Sequence, residues 1–110
     1  MEDKQLAEYL RRYHLGEGCA ITSKKLEAAF SVRSKELRDA VNRLRRKGFP
    51  IASSSSGYFY AAAEQEVRTT ITHMTHRISG IASAIRGLNK SLEKFDTAQL
   101  RIRGPGGDSP

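Results

Sequence analysis

The chain has 110 residues, 38% of them hydrophobic, no tryptophan and a formal net charge of +7. That length holds one small domain plus an extension, and no apolar run of about 18 residues is present to cross a membrane. The single cysteine, Cys19, excludes an internal disulfide; with the acidic, helix-like start MEDKQLAEYL in place of a signal peptide, it sets the expectation of a reducing, cytoplasmic setting.

Asp3 is placed to cap a first helix reaching about Tyr13, with Leu6, Tyr9, Leu10 and Tyr13 on one face at i, i+3, i+4, i+7 spacing. HLGEGCAI reads as a loop with two glycines. Thr22 or Ser23 then caps a short helix, KKLEAAF, expected to bury Leu26, Ala29 and Phe30. SVRS is a tight turn. A third helix follows from about Ser34 to Lys47, with Leu37, Ala40, Val41 and Leu44 in one stripe. Gly48 is placed to stop it and Pro50 to prevent its restart. Pro50–Ala52 and Tyr58–Ala61 read as two short strands around SSSSG, a hairpin with a flexible loop and Gly57 at positive φ. One long helical pattern occupies about Glu64 to Phe95. The Gly/Pro-rich end, TAQLRIRGPGGDSP, is expected to be a disordered tail. The predicted division is 1–62, 63–96 and 97–110.

The charge is not spread evenly. Between Ser23 and Lys47 stand nine basic residues (Lys24, Lys25, Arg33, Lys35, Arg38, Arg43, Arg45, Arg46, Lys47) against Glu27, Glu36 and Asp39, which is +6 of the +7. A local excess of this kind admits nucleic acid, an anionic membrane surface or an acidic protein as partner. Two short helices around a tight turn, the second longer and basic, have the order of a helix-turn-helix, and a hairpin straight after makes it winged. The predicted fold class is therefore mostly α with a small β-hairpin: a winged helix-turn-helix followed by a long coiled-coil helix.

The stretch ITSKKLEAAFSVRSKELRDAVNRLRRKGFPIASSSSGYFYA resembles the winged helix-turn-helix domain of the biotin-operon-repressor type. The matching residues are Ile21 to Lys24, Leu26, Val32, Leu37, Arg38, Val41, Leu44, Arg45, Gly48, Pro50, Ile51, Ser53, Gly57 and Tyr58, over about 40 of the 110 residues. Small phage and prophage winged-helix proteins are similar too, with a long helix after the wing. Ser31 departs from the pattern where the turn often has glycine, and so does Arg33 where the third helix often has a Ser/Thr cap, which leaves Ser34 to cap one residue later. No segment resembles a ligase or a ligand-sensing domain. The resemblance thus implies DNA binding without enzymatic activity, cofactor or small-molecule ligand.

In such a fold the third helix enters the major groove. With the apolar stripe facing in, the outward row is Lys35, Arg38, Asp39, Asn42 and Arg46. Arg38 suits the O6/N7 edge of guanine and Asn42 suits adenine, with wing-backbone bonding as the plainer role for Asn42. Lys35, Arg43, Arg45 and Arg46 suit phosphates, as do Lys24 and Lys25 at the start of the second helix and Arg33 and Ser34 at the start of the third. The wing tip, Ser54, Ser55 and Ser56, carries small hydroxyls that approach a backbone without bulk and lacks the arginine that reads a narrow minor groove. Tyr58, Phe59 and Tyr60 suit core packing better than base stacking.

The apolar positions of the long helix are Val67, Ile71, Met74, Ile78, Ile81, Ile85, Leu88, Leu92 and Phe95, spaced 4, 3, 4, 3 without a break. That is a heptad seam, with Ile71, Ile78, Ile85 and Leu92 at a and the others at d. A 32-residue helix spans roughly 48 Å, longer than a small domain is wide, so the stripe is expected to bind a second copy. A homodimer is the first expectation and a tetramer the alternative. The e and g positions carry no acid–base pairs that fix helix orientation. The polar face, rich in Ser, Thr and His, does not suit a membrane surface. His73 and His76 at i, i+3 have no Cys or acidic partner at ligand spacing, so no metal is expected. No nucleophile triad, phosphate loop or carboxylate pair is legible. The sequence reading is a homodimeric, sequence-specific double-stranded DNA-binding regulator. Its rivals are a non-specific architectural or replication-associated DNA-binding protein, and a protein-binding adaptor such as a phage inhibitor of a host system.

Overall fold

The structure, a computed structural model, describes residues 1–102, with side chains through Phe95. In chain order it contains α1 (Asp3–Tyr13), a single 3-10 turn (Glu17–Cys19), α2 (Ser23–Phe30), α3 (Ser34–Arg46), β1 (Ile51–Ser54), β2 (Gly57–Tyr60) and α4 (Glu64–Ile102). The architecture is mostly helical, with one two-stranded antiparallel sheet and a long C-terminal helix. The chain divides into two units, Met1–His73 and the segment from Met74 onward, so the first ten residues of α4 belong to the N-terminal unit.

The core of that unit is built from the stripes that helical and strand periodicity demand. Leu6, Ala7 and Leu10 come from α1, Leu26 from α2, and Leu37, Ala40, Val41 and Leu44 from α3. Ile51, Ala52 and Phe59 come from the hairpin, and Ile21 from the segment before α2. Two expected core positions are not buried. Tyr13 is exposed at the end of α1, where Ala7 takes the inward place, and Ala29 is exposed on α2, an eight-residue helix too short to bury more than Leu26 and part of Phe30.

Each helix boundary has a local cause. α1 begins one residue earlier than expected: Glu2 is the N-cap, its N–H donating to Gln5 Oε1 at 3.1 Å. Asp3 is already helical. Thr22 caps α2, its Oγ1 accepting from the Lys25 N–H. α2 ends on Ser31 in the left-handed region, φ 53°, at the position where glycine is usual. Ser34 does not cap α3; Arg33 is the N-cap, and Glu36 three residues on accepts its N–H at 3.2 Å. α3 stops at Gly48, φ 94°, with the Gly48 N–H on Arg45 O and the Phe49 N–H on Leu44 O, as the sequence indicates.

The hairpin is tighter than a flexible serine loop. β1 runs on through Ser54 and β2 starts at Gly57, leaving Ser55 and Ser56 as a two-residue turn, with the Ser56 N–H on Ser54 Oγ. Neither turn serine has positive φ; Gly57 has, at 124°. A Cβ there would lie 2.1 Å from Ile21 O, because Ile21 and Tyr58 exchange two backbone hydrogen bonds across the segment expected to be plain loop. Tyr60 pairs in the same segment with His14 and Gly16.

α4 outlasts its heptad pattern. It continues through Ile102, so residues 97–102 of the expected tail are helical, and residues 103–110 lie outside the described residues.

Candidate nucleic-acid interface

α3 is held to the rest of the N-terminal unit on three sides. Its apolar stripe is buried in the core. Arg43 reaches α1 and grips Asp3 with two hydrogen bonds, Nε to Oδ2 at 2.8 Å and Nη2 to Oδ1 at 3.0 Å. That guanidinium holds the Asp3 carboxyl below the ordinary carboxylate range. Arg45 is half-buried and turned to the hairpin, donating to Ile51 O at 2.7 Å and Ser53 Oγ at 3.1 Å. Arg45 was expected on a phosphate; its place is the free edge of β1. The signal was present in the sequence, since Arg45 stands four residues after buried Val41, at the margin of the apolar stripe.

Thr70 completes that edge from α4. It is buried, its Oγ1 accepts from the Ser53 N–H at 3.2 Å, and its hydroxyl donates to Glu66 O at 3.0 Å. The outer edge of β1 is thus bonded by two side chains and that of β2 by the segment from His14 to Ile21. A hairpin of two four-residue strands has little stability alone, and these contacts supply the partners that its unpaired backbone needs. Glu66 anchors the start of α4 in the same way. Its carboxylate accepts from the N–H groups of Glu17 (3.0 Å), Ala62 (2.7 Å) and Ala63 (3.3 Å), and those backbone bonds hold its carboxyl below the ordinary range.

The remaining polar face of α3 is open. Lys35, Arg38, Asn42 and Arg46 are exposed, at i, i+3, i+7 and i+11. Lys35 Nζ lies 2.9 Å from Asp39 Oδ2, and Arg38 Nη1 donates to Ser34 Oγ at 2.8 Å. The side chain of Asn42, the residue offered a place on the wing backbone, makes no hydrogen bond among the described residues; Arg45 makes that contact instead. Lys24 and Lys25 are exposed in the first turn of α2, Arg33 at the N-cap of α3, and Ser55 and Ser56 at the hairpin tip, while Ser54 is half-buried. Of the predicted phosphate ligands, Arg43 and Arg45 are tied to other elements by their guanidinium groups, Arg43 to α1 and Arg45 to β1. Phe59 is buried, and Tyr58 and Tyr60 pack half-buried against the core, as expected for alternate strand aromatics.

Along α4, Ile71, Ile78, Ile81, Ile85, Leu88, Leu92 and Phe95 are each between 53% and 69% exposed, whereas Val67 and Met74 are half-buried. His73 and His76 are exposed, and among the described residues no group of His, Cys, Asp and Glu has the arrangement of a metal site. No described helix is long and apolar enough to cross a membrane. No family model, no curated protein sequence and no solved structure matches the chain.

Proposed function

We propose that the N-terminal unit is a winged helix-turn-helix and that the protein binds double-stranded DNA sequence-specifically as a homodimer, acting as a transcriptional regulator. The observation that carries this reading is the two-sidedness of α3. One face is sealed by Leu37, Ala40, Val41 and Leu44 and by the Arg43–Asp3 and Arg45–hairpin contacts. The other presents Lys35, Arg38, Asn42 and Arg46 to solvent on a helix of 13 residues, a length that suits a major groove. A rigidly seated helix with a basic outer row is what groove reading requires. A merely solvated helix would not need three separate anchors.

The roles follow from exposure and bonding. Lys24, Lys25, Arg33 and Arg46 bind phosphates; Arg38 and Asn42 face bases; Ser55 and Ser56 bring the hairpin tip to the backbone. Arg43 holds α3 in place through Asp3 and is not a free phosphate ligand. The α4 seam joins two copies and so presents two α3 helices to an inverted repeat. Nothing in this scheme calls for a catalytic group, a cofactor or a small ligand, so occupancy follows protein concentration.

The test is selection from random double-stranded DNA at about physiological salt, followed by sequencing. An enriched inverted repeat is the expected result, with half-site spacing set by α4. Affinity falls by about 10³-fold or more between 50 and 200 mM salt if six or more phosphates are contacted. Binding without enrichment would point to the architectural role, and no binding at any salt to the protein-binding adaptor.

A further inference from the structure

We propose that Asp39 is a specificity-determining residue of α3, an acceptor that admits a base with an exocyclic amino group in the major groove and penalises every other DNA surface. This rests on the reading of α3 as the DNA-contacting helix.

The observation is an acid in the middle of the basic outer row. Asp39 lies between Lys35 and Arg43 at i−4 and i+4 and next to Arg38. Its side chain is 47% exposed and accepts from Lys35 Nζ at 2.9 Å. The lysine, first through its hydrogen bond, and then the charges of Lys35, Arg43 and Arg38 keep the carboxyl below its ordinary range, so it is ionised wherever the protein is folded near neutrality. A fixed negative charge there opposes the phosphate attraction that dominates binding to any DNA.

Helix stability does not account for it. Exposed i,i+4 ion pairs contribute little; Lys35 before Asp39 is the weaker order, and Arg43, in the better order, directs its hydrogen bonds to Asp3. What remains is chemistry at a base edge. An ionised carboxylate only accepts. In the major groove it meets a donor at cytosine N4 or adenine N6, and repulsion at guanine O6/N7, thymine O4 and phosphate. Lys35, released from Asp39 on a cognate site, is free for a phosphate.

Asp39→Asn is nearly isosteric and keeps a carbonyl, but it removes the charge and adds a donor. The wild-type protein, Asp39→Asn and Lys35→Gln are each selected on random duplex pools at one salt concentration, with thermal melts to compare folding. The wild-type half-site is expected to carry a fixed cytosine or adenine at one position. Asp39→Asn relaxes that preference, because its amide also donates to the acceptors of guanine and thymine, and binds duplexes lacking the site about three- to tenfold more tightly. Lys35→Gln, which removes the ion pair and leaves the carboxylate, keeps the preference. Identical half-sites for the wild type and Asp39→Asn overturn the inference and leave DNA binding by α3 standing. So does the same altered preference in Lys35→Gln, because the ion pair and not the carboxylate would then be responsible. A wild-type protein that binds no duplex at any salt overturns the α3 reading itself, and this inference with it.

Discussion

α3 and α4 are both amphipathic, and they use their two faces in opposite ways. In α3 the apolar stripe is short, four residues over two turns, and entirely buried; the exposed face is charged. In α4 the stripe keeps a 3.5-residue period for nine positions, seven of them more than half exposed, and its polar face is rich in Ser, Thr and His. A stripe of period near 3.6 on a helix of 13 residues fits one side of a small core. A strict heptad over about four repeats drifts away from any single flat surface and suits another helix wound around it. The period of the apolar pattern, read together with exposure, therefore separates the face that builds the fold from the face left open on α4, where a second copy is proposed to bind.

The largest test of that contrast is at α4. The double substitution Ile78→Asp and Ile85→Asp puts two charges on the seam and is expected to convert the oligomer to a monomer by sedimentation, with the helical signal of the N-terminal unit retained. An unchanged mass would refute the coiled-coil assignment. In that monomeric background, truncation distinguishes the two helices directly. Leu44→Ala, in the core, lowers unfolding free energy by about 2–5 kcal/mol. Ile81→Ala, 58% exposed, leaves the urea midpoint of the N-terminal unit where it was. Equal losses at both positions would mean that the α4 stripe packs within its own chain.

Much of this division is legible in the sequence because it rests on local rules. The order of the elements, the Gly48 stop, the Gly57 conformation and the buried stripe of α3 all follow from periodicity and turn chemistry within a few residues. What was not legible depends on partners far along the chain. Arg43 finds Asp3 forty residues away, Thr70 finds Ser53 seventeen away, and Glu66 reaches Glu17 forty-nine away. No periodicity encodes such pairs. Arg43 therefore reads as a phosphate ligand. The serine run misled in a different way. Four small hydroxyls suggest a loose loop, yet the outer edge of β1 is fixed by Arg45 and Thr70, and the strands close to a two-residue turn.

The anchor at Glu66 gives a pH signature that the α4 seam, with no acid at its e and g positions from Arg68 to Ser91, does not share. Its folded pKa is depressed below the ordinary 4.5 by three backbone donors, so the stabilisation is present above that value and is lost as the pH falls through the depressed one. Asp3, held by Arg43, behaves the same way from 3.8 downward. Glu66→Gln is expected to melt at a lower temperature than the wild type at pH 7, and the gap is expected to close as the pH is lowered below 4.5. A gap that persists unchanged at low pH would show that the charge on Glu66 is not what anchors α4.

The smallest effect concerns the turn that sets α3 against α2. Ser31 occupies the left-handed region, φ 53° and ψ 47°, where a side chain costs about 1–2 kcal/mol and glycine costs nothing locally. Glycine also gains entropy in the unfolded chain, which offsets about half of that benefit. Ser31→Gly is thus expected to stabilise the N-terminal unit by about 0.5–1 kcal/mol in urea unfolding, with no change in the mass of the oligomer. The sign decides the matter. Ser31 is exposed, and its backbone N–H accounts for the turn through its bond to Ala28 O, so the hydroxyl has no evident structural role to lose. A loss of stability would require that the serine side chain contribute to the turn between α2 and α3, and would make that turn, rather than the anchors on α3, the element that fixes the angle of the basic face.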